Sequence, residues 1–186
     1  MVADHARAAL PLVGDLRVIS IDGRAGAGKS TMAEHLSNLL DGAPVVHMDD
    51  LYRGWEDALT TRLSATLRDQ ILVPMSLGKV GSYRVWNWHR GAPGEVISID
   101  RHPFLILEGV GASQRVVRPF TGTMVWIEID PARGLERVLK RDSQVVSDVE
   151  EFTRRMQSWQ GEELLHFERE NTFDAAHLRF DGGLFW

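Results

Sequence analysis

The chain has 186 residues, of which 44% are hydrophobic and 25% charged, and its formal net charge at pH 7 is −5. This composition is typical of one globular domain, and it disfavours a broad nucleic-acid-binding face. The absence of cysteine excludes disulfides and thiolate metal sites, and no apolar run is long enough to cross a membrane. We therefore expect a single domain, residues 1–186, that is cytoplasmic, a monomer or homodimer, and binds neither nucleic acid polymers nor membranes.

The first predicted elements are a helix, a strand and a second helix. Residues 3–10 read as a short helix that ends before Pro11. Residues 17–22 have the β-branched composition of a buried parallel strand, and residues 31–40 have helical spacing of their apolar side chains. The chain between this strand and this helix therefore forms a tight connection.

That connection, residues 23–30, fits the pattern G-x-x-x-x-G-K-[ST] and is called the glycine loop below. Its glycines allow backbone N–H groups to surround a di- or triphosphate, and the positive end of the next helix faces the same anion. Lys29 would reach the β- and γ-phosphates, and the Ser30 hydroxyl would bind Mg²⁺. The predicted nucleotide contacts are Gly23, Ala25, Gly26, Ala27, Gly28, Lys29, Ser30 and Thr31. The alternative is a glycine-rich turn without a ligand.

Two acids follow the second predicted strand, residues 44–48. Ligands bind beyond the carboxyl ends of the strands in an open α/β sheet, so these acids should face the same crevice as the glycine loop. We predict that Asp49 is a catalytic base and that Asp50 caps the next turn; alternatively, both only cap the loop. Tyr52 either contacts the phosphoryl acceptor or packs in the core.

A long helix and an inserted hairpin come next. The four-residue spacing from Trp55 to Ile71 predicts one amphipathic helix over residues 55–72, with this stripe in the core. Residues 74–100 read as loop and an inserted β-hairpin, whose strands are residues 83–88 and 95–99. Its Trp86, Trp88 and His89 could stack on or hydrogen-bond an acceptor ring. The alternatives are tryptophans that anchor the hairpin and an ordinary surface histidine.

The last predicted strand–helix units carry an acid and a row of arginines. The apolar run 104–107 predicts a strand that ends at Glu108, which could hold a Mg²⁺-bound water, contact the substrate or merely cap a turn. A strand at 124–129 precedes a helix from Pro131 to about residue 141, on which Arg137 and Arg141 share a face with Arg133. We predict that Arg137 and Arg141 are catalytic groups of a helical lid, residues 133–155. The alternative is an ordinary ion-paired surface helix.

A helix over residues 149–169 and a strand at 178–180 complete the predicted order of elements. Strands that alternate with helices indicate a three-layer α/β/α architecture with a parallel sheet. No spacing typical of a zinc site is found among the histidines.

The assembled motifs resemble the uridine kinase-like branch of P-loop kinases, which includes phosphoribulokinase and bacterial pantothenate kinase. The likeness extends over nearly the whole chain and is nearest to small actinobacterial-type uridine kinase-like ATP-binding proteins. The matching segments are residues 21–31, 47–52, 83–88, 107–111, 137–142 and parts of 159–182. The resemblance implies a P-loop kinase that uses ATP and Mg²⁺, with Asp49 as the base, Tyr52 and the hairpin aromatics around the acceptor, and lid arginines at 137 and 141. Asn87 stands where many relatives have an acid, so the acceptor stays open.

The leading hypothesis is a kinase that transfers the γ-phosphate of ATP to a small-molecule acceptor such as a nucleoside or nucleotide. A second reading keeps this chemistry with a non-nucleoside metabolite as acceptor. A third is an NTP-binding regulatory module, or an NTPase, without any acceptor.

Overall fold

The computed structural model describes residues 1–144, 146 and 148–184, and it has a five-stranded parallel sheet as its centre. The strands are β1 (Arg17–Gly23), β2 (Val45–His47), β3 (Ser82–Asn87), β4 (Ala92–Ser98), β5 (Phe104–Glu108), β6 (Thr121–Glu128) and β7 (Leu178–Asp181). The central sheet has the order β2-β5-β1-β6-β7, and all of its neighbouring strands are parallel. Their carboxyl ends therefore lie along one edge, where the glycine loop, Asp49 and Glu108 follow.

Helices cover both faces of this sheet. They are α1 (Val2–Ala8), α2 (Lys29–Leu39), α3 (Met48–Leu51), α4 (Thr61–Thr66), α5 (Val73–Ser76), α6 (Pro131–Asp142), α7 (Val149–Glu170) and α8 (Thr172–Ala175). Alternate side chains of a strand point to opposite faces, which explains two separate cores. Ile19 and Ile21 of β1 pack in the cluster that includes residues of α1 and α2. Val18 belongs to the cluster that includes residues of α4 and α7. The fold is thus a three-layer α/β/α arrangement, as predicted.

The predicted helix over residues 55–72 is wrong at its beginning. Trp55–Asp57 forms a single 3-10 turn, and the helix starts only at Thr61. From there it continues through a π-helical segment, Leu67–Leu72, into α5. Pro74 lies in the first turn of α5, directly after the π-helical segment. Leu63, Leu67 and Ile71 are buried in the core as predicted, whereas Trp55 is only partly buried.

The hairpin prediction is confirmed for β3 and β4, which form a separate antiparallel pair, whereas residues 74–76, predicted as loop, are helical in α5. Its contacts with α3 place it beside the acids that follow β2. The predicted lid, residues 133–155, coincides with most of α6 and the beginning of α7, although positions 145 and 147 lie outside the described residues. Within the described part of the chain, no helix has both the length and the apolar character needed to cross a membrane.

Candidate active site

The glycine loop connects β1 to α2 through a backbone conformation that requires glycine. Gly26 has φ +77°, a region that L-residues rarely adopt. A Cβ on Gly26 would lie 2.3 Å from the carbonyl oxygen of Gly134 in α6, so glycine is also needed for the close approach of that helix. The N–H of Met32 donates to the Gly28 carbonyl (3.0 Å), and the N–H groups of the three preceding residues therefore lie at the open end of α2. This geometry suits a bound anion.

Lys29 and Ser30 place a cation and a hydroxyl at the rim of the loop. Lys29 Nζ donates to the carbonyl oxygens of Gly23 and Arg24, both at 2.8 Å, which folds the ammonium over the loop. Ser30 Oγ donates to Glu108 Oε1 at 3.1 Å. The hydroxyl of α2 and the carboxylate that ends β5 are therefore direct neighbours, as a shared role at one metal ion would require.

Glu108 is buried, and the same oxygen that accepts from Ser30 is also hydrogen-bonded to His47 Nδ1. The Glu108 carboxylate raises the pKa of His47, chiefly through this hydrogen bond, and burial of the ring opposes the effect. Glu108 and His47 are opposite each other in the register of β5 and β2. The pairing of the two parallel strands thus brings the acid and the imidazole together.

Asp49 lies in the first turn of α3 and lines the same cleft as the glycine loop. Its side chain is exposed along the cleft opening, yet the surrounding protein walls raise its pKa by partial loss of water, and the nearby Glu108 carboxylate adds to this. The positive charges of Lys29 and Arg141 act in the opposite direction. The result is a carboxylate of increased basicity beside the cation of the loop.

Asp50 and Tyr52 have different surroundings from Asp49. Partial burial raises the pKa of Asp50 as well, but Asp50 is not among the residues that line the cleft. Tyr52 is buried and its hydroxyl donates to the Val110 carbonyl (2.6 Å), so its ring forms part of the wall while its polar atom is occupied. The placement favours Asp49 over Asp50 and packing over polar contact for Tyr52.

The cleft has a volume of about 610 Å³ and extends from the glycine loop to an aromatic end. At that end the hairpin contributes Trp88, whose Nε1 donates to the Asp49 carbonyl (3.0 Å). The structure does not bring the other two hairpin candidates into the wall: neither Trp86 nor the exposed His89 is a lining residue. On this hairpin, only the tip next to α3 reaches the cleft.

Arg137 and Arg141 both line the cleft, one helical turn apart on α6. Arg137 Nη1 donates to the carbonyl oxygens of Gly182 (3.0 Å) and Gly26 (3.3 Å) and so connects the glycine loop to the turn after β7. Arg141 forms a bidentate pair with Asp142, with two contacts of 2.7 Å. This ion pair raises the pKa of the Arg141 guanidinium. Both cations thus lie next to the cleft while engaged in contacts with the protein.

Sequence reasoning missed several residues that shape the site. Glu163 of α7 is fully buried and accepts the N–H of Ala25 in the glycine loop (3.0 Å), with Arg24 Nη1 at 3.7 Å. Burial raises the pKa of Glu163, opposed by Lys29, the Ala25 N–H and Arg24. Trp55 and Trp159 line the aromatic end, although Trp55 was expected in the core. These contacts are distant in sequence, and only the acidic or apolar character of each residue was visible beforehand.

A second missed acid, Asp22, anchors the beginning of the loop. Its carboxylate is fully buried and accepts three backbone N–H groups, those of Gly23 (2.8 Å), Ser113 (2.9 Å) and Gly111 (3.2 Å). Burial raises the pKa of Asp22 to about 6, although these hydrogen bonds and Lys29 act in the opposite direction. Asp22 thus holds the chain after β5 against the end of β1.

The residues present fit a nucleotide and a magnesium ion. Gly26, Gly28, Lys29, Ser30 and Thr31 line the cleft, whereas the Ala27 side chain is buried in the core. Among the described residues, no cluster of three or more His, Asp or Glu side chains could bind a metal by itself. A magnesium ion here would depend on the Ser30 hydroxyl, the Glu108 carboxylate, water and the phosphates, which is the usual way in which this ion is held.

Comparison with known proteins identifies the fold. No protein-family model matches the chain, and no curated protein matches it in sequence. The structure is similar to that of a possible uridine kinase from Bacillus stearothermophilus, with a TM-score of 0.67, 18% identity and coverage of 96% of this chain and 95% of that one. A proposed fructose transport system kinase from Silicibacter sp. TM1040 gives a TM-score of 0.59 and 18% identity, with coverage of 88% and 89%. Shikimate kinase from Acinetobacter baumannii, solved in complex with shikimate, gives 0.50 and 18%, with coverage of 89% and 83%. The chain therefore has the three-layer α/β/α fold of P-loop NTPases, with an inserted hairpin.

Proposed function

We propose that this chain is an ATP- and Mg²⁺-dependent phosphotransferase that moves the γ-phosphoryl group of ATP to a hydroxyl of a small molecule. The observation that carries the proposal is the position of Asp49 in the same cleft as Lys29 and Ser30. Within the described residues, the Asp49 carboxylate accepts no hydrogen bond, so it is available to an incoming hydroxyl. A switch protein without an acceptor would have no need for such a base.

The proposed roles follow from the contacts. The N–H groups at the start of α2 and the Lys29 ammonium bind the phosphates, after Lys29 exchanges its loop carbonyls for phosphate oxygens. Ser30 and Glu108 would hold a magnesium ion, which would supply charge neutralisation at the phosphates. Asp49 orients the acceptor hydroxyl and takes its proton, and its raised pKa makes it a better proton acceptor than an ordinary aspartate. Arg137 and Arg141 border the region where the phosphoryl group moves.

The kinases of similar fold support phosphoryl transfer as the reaction class and leave the acceptor open. The names of these three proteins refer to uridine, fructose and shikimate, which are chemically different compounds. We extend to this chain only the shared chemistry, transfer to a hydroxyl group. Membership of the uridine kinase-like branch and action on a nucleoside remain hypotheses from the sequence motifs.

The test of this function is the rate of ADP release from ATP in the presence of Mg²⁺, measured with and without an added acceptor. Lys29→Ala is expected to abolish turnover, and Asp49→Asn to reduce it roughly 100-fold while the affinity for ATP changes little. Asp50→Asn is the matched control, because it neutralises the adjacent acid, which does not line the cleft, and it should cost far less. Equal ADP release with and without every compound of a broad acceptor panel would contradict the proposal and favour an NTPase. Full activity of Asp49→Asn would refute the assignment of the base.

A further inference from the structure

The Glu108 carboxylate uses one of its two oxygen atoms for its contacts with the protein. Ser30 Oγ donates to Oε1 at 3.1 Å, and His47 Nδ1 is hydrogen-bonded to the same atom. A carboxylate oxygen has two lone pairs, so these two hydrogen bonds occupy Oε1 fully. Oε2 accepts no hydrogen bond from the described residues. The two oxygens of this side chain therefore have different capacities to bind a ligand.

The free oxygen of Glu108 is open to the cleft. Glu108 is only 4% exposed, and it lines the cleft. In the described part of the chain, Oε2 is not one of the fully buried polar atoms without a partner, in contrast to Oε1 of Glu163. The small exposed surface of Glu108 therefore includes this oxygen. Water or a hydrated ion in the cleft can reach it.

Strand pairing determines the position of His47. This histidine is the last residue of β2 and is paired in register with Glu108, the last residue of β5. Adjacent strands are about 4.8 Å apart, and paired residues direct their side chains to the same face of the sheet. The imidazole therefore reaches the carboxylate directly. Because a carboxylate only accepts hydrogen bonds, the proton of this bond is carried by Nδ1.

The pairing of β2 with β5 does not depend on this hydrogen bond alone. Three consecutive register pairs connect the two strands, and the Val46 side chain is buried. The His47 side chain is 46% exposed and does not line the cleft, so it does not contact a ligand there directly. Its connection to the cleft is the carboxylate of Glu108. An effect of His47 on a bound ligand must therefore act through the orientation of Glu108.

We propose that His47 is a positioning residue of the magnesium site: together with Ser30 it holds Oε1 of Glu108, so that Oε2 is offered to the hydration shell of the ion. This role rests on the proposed function. The last torsion of a glutamate side chain is broad and roughly two-fold, so one hydrogen bond alone would allow Oε1 and Oε2 to exchange. Hydrogen bonds to an ionised group are stronger than those between neutral groups, and a second donor on the same oxygen restricts this rotation.

Loss of the His47 donor should weaken the binding of magnesium more than the binding of the nucleotide itself. Residues that orient metal ligands typically contribute roughly 10–100-fold to metal affinity. The glycine loop and the start of α2 provide the phosphate contacts, and β2 takes no part in them. The ratio between the nucleotide affinities measured with and without Mg²⁺ therefore isolates the effect of His47 on the metal.

Calorimetric titration with a non-hydrolysable ATP analogue, in excess Mg²⁺ and again in EDTA, measures this ratio. His47→Ala should reduce the gain in affinity that Mg²⁺ provides by roughly tenfold. His47→Asn should retain most of the gain, because its amide nitrogen occupies the same place along the side chain as Nδ1. His35→Ala is the matched control, since His35 is an exposed histidine of α2 that does not line the cleft, and it should leave the ratio unchanged.

Two further variants distinguish orientation of the carboxylate from a general loss of structure. His47→Phe keeps a ring on the edge strand without a donor, and it replaces His47→Ala if urea unfolding shows that the alanine variant is destabilised. In a Glu108→Gln background, His47→Ala should add little to the loss of the Mg²⁺ effect, because the carboxylate that it orients has been removed.

The outcomes separate the role of His47 from the proposed function. A normal Mg²⁺ effect in both His47→Ala and His47→Phe would overturn the role of His47 while the kinase proposal stands. An equal loss in His47→Asn and His47→Ala, or a loss of nucleotide affinity that is as large in EDTA as in Mg²⁺, would assign the hydrogen bond to strand pairing and would also overturn it. Failure of the unaltered protein to bind the analogue, or to respond to Mg²⁺, would overturn the proposed function and the role of His47 with it.

Discussion

Replacing Gly134 with alanine would insert a methyl group between α6 and the glycine loop. The new Cβ would lie 2.6 Å from the Ala25 carbonyl oxygen, whereas carbon–oxygen contacts are typically about 3.3 Å or longer. The loop or the first turn of α6 must therefore move by roughly 0.7 Å. Gly161, in α7, offers a matched control, because a Cβ there meets nothing within 4 Å.

The two substitutions should have different effects on the free energy of unfolding. Alanine in place of glycine inside a helix gains about 1 kcal/mol from backbone entropy, and this gain applies to both sites. At Gly134 the overlap costs about 1–3 kcal/mol, as is usual for overpacking in a closely packed interior. We therefore expect Gly161→Ala to raise the free energy of unfolding by about 1 kcal/mol and Gly134→Ala to lie about 1–3 kcal/mol below it.

Urea unfolding and titration with an ATP analogue measure the two effects separately. Because the carbonyl that moves belongs to the glycine loop, Gly134→Ala should also weaken binding of the analogue by roughly tenfold or more, whereas Gly161→Ala should not. If both variants were stabilised to the same degree and bound the analogue equally well, the close approach of α6 to the loop would not exist in the protein.

Three further predictions concern the acids and the rim hydroxyl. Burial raises the pKa of the Asp22 carboxyl to about 6, above its value of about 3.9 in the unfolded chain. The contribution of Asp22 to the free energy of unfolding is therefore complete below about pH 4 and is lost as the pH rises through about 6. Urea unfolding should give a lower free energy of unfolding at pH 7.5 than at pH 5, and this difference should be smaller in Asp22→Asn. The raised pKa of Asp49 should place the acidic limb of the rate profile above the ordinary aspartate range, and the limb should disappear in Asp49→Asn. Ser30→Ala should increase the Mg²⁺ concentration needed for half-maximal turnover, measured by metal titration; an unchanged requirement would remove Ser30 from the metal site.

The sequence was sufficient to predict those parts of the candidate site that consecutive residues form. The glycine loop, the strand before it and the helix after it follow from consecutive residues, and the structure confirms all three elements. Asp49 and Glu108 could be placed near the loop because the carboxyl ends of parallel strands share one edge. In both cases the inference needed no knowledge of how distant helices pack.

Contacts between distant segments explain what could not be foreseen. The spacing from Trp55 to Ile71 mimics one helix, but Trp55 lies in a separate turn and its ring packs with Trp88 and Trp159. Periodicity alone cannot register such an interruption, because the apolar spacing continues across it. Glu163 is one of several acids on α7, and only the approach of this helix to the glycine loop distinguishes it.

Helix α7 contributes side chains both to the aromatic end of the cleft and to the support of the glycine loop. In the middle of this helix, Met156 and Trp159 line the aromatic end of the cleft, and one turn after Trp159 the Glu163 carboxylate accepts the Ala25 N–H of the glycine loop. Substitutions on α7 that are meant to change the acceptor specificity should therefore also change the affinity for the nucleotide. Redesign is better directed at Trp55 and Trp88, whose segments make no contact of this kind with the loop among the described residues.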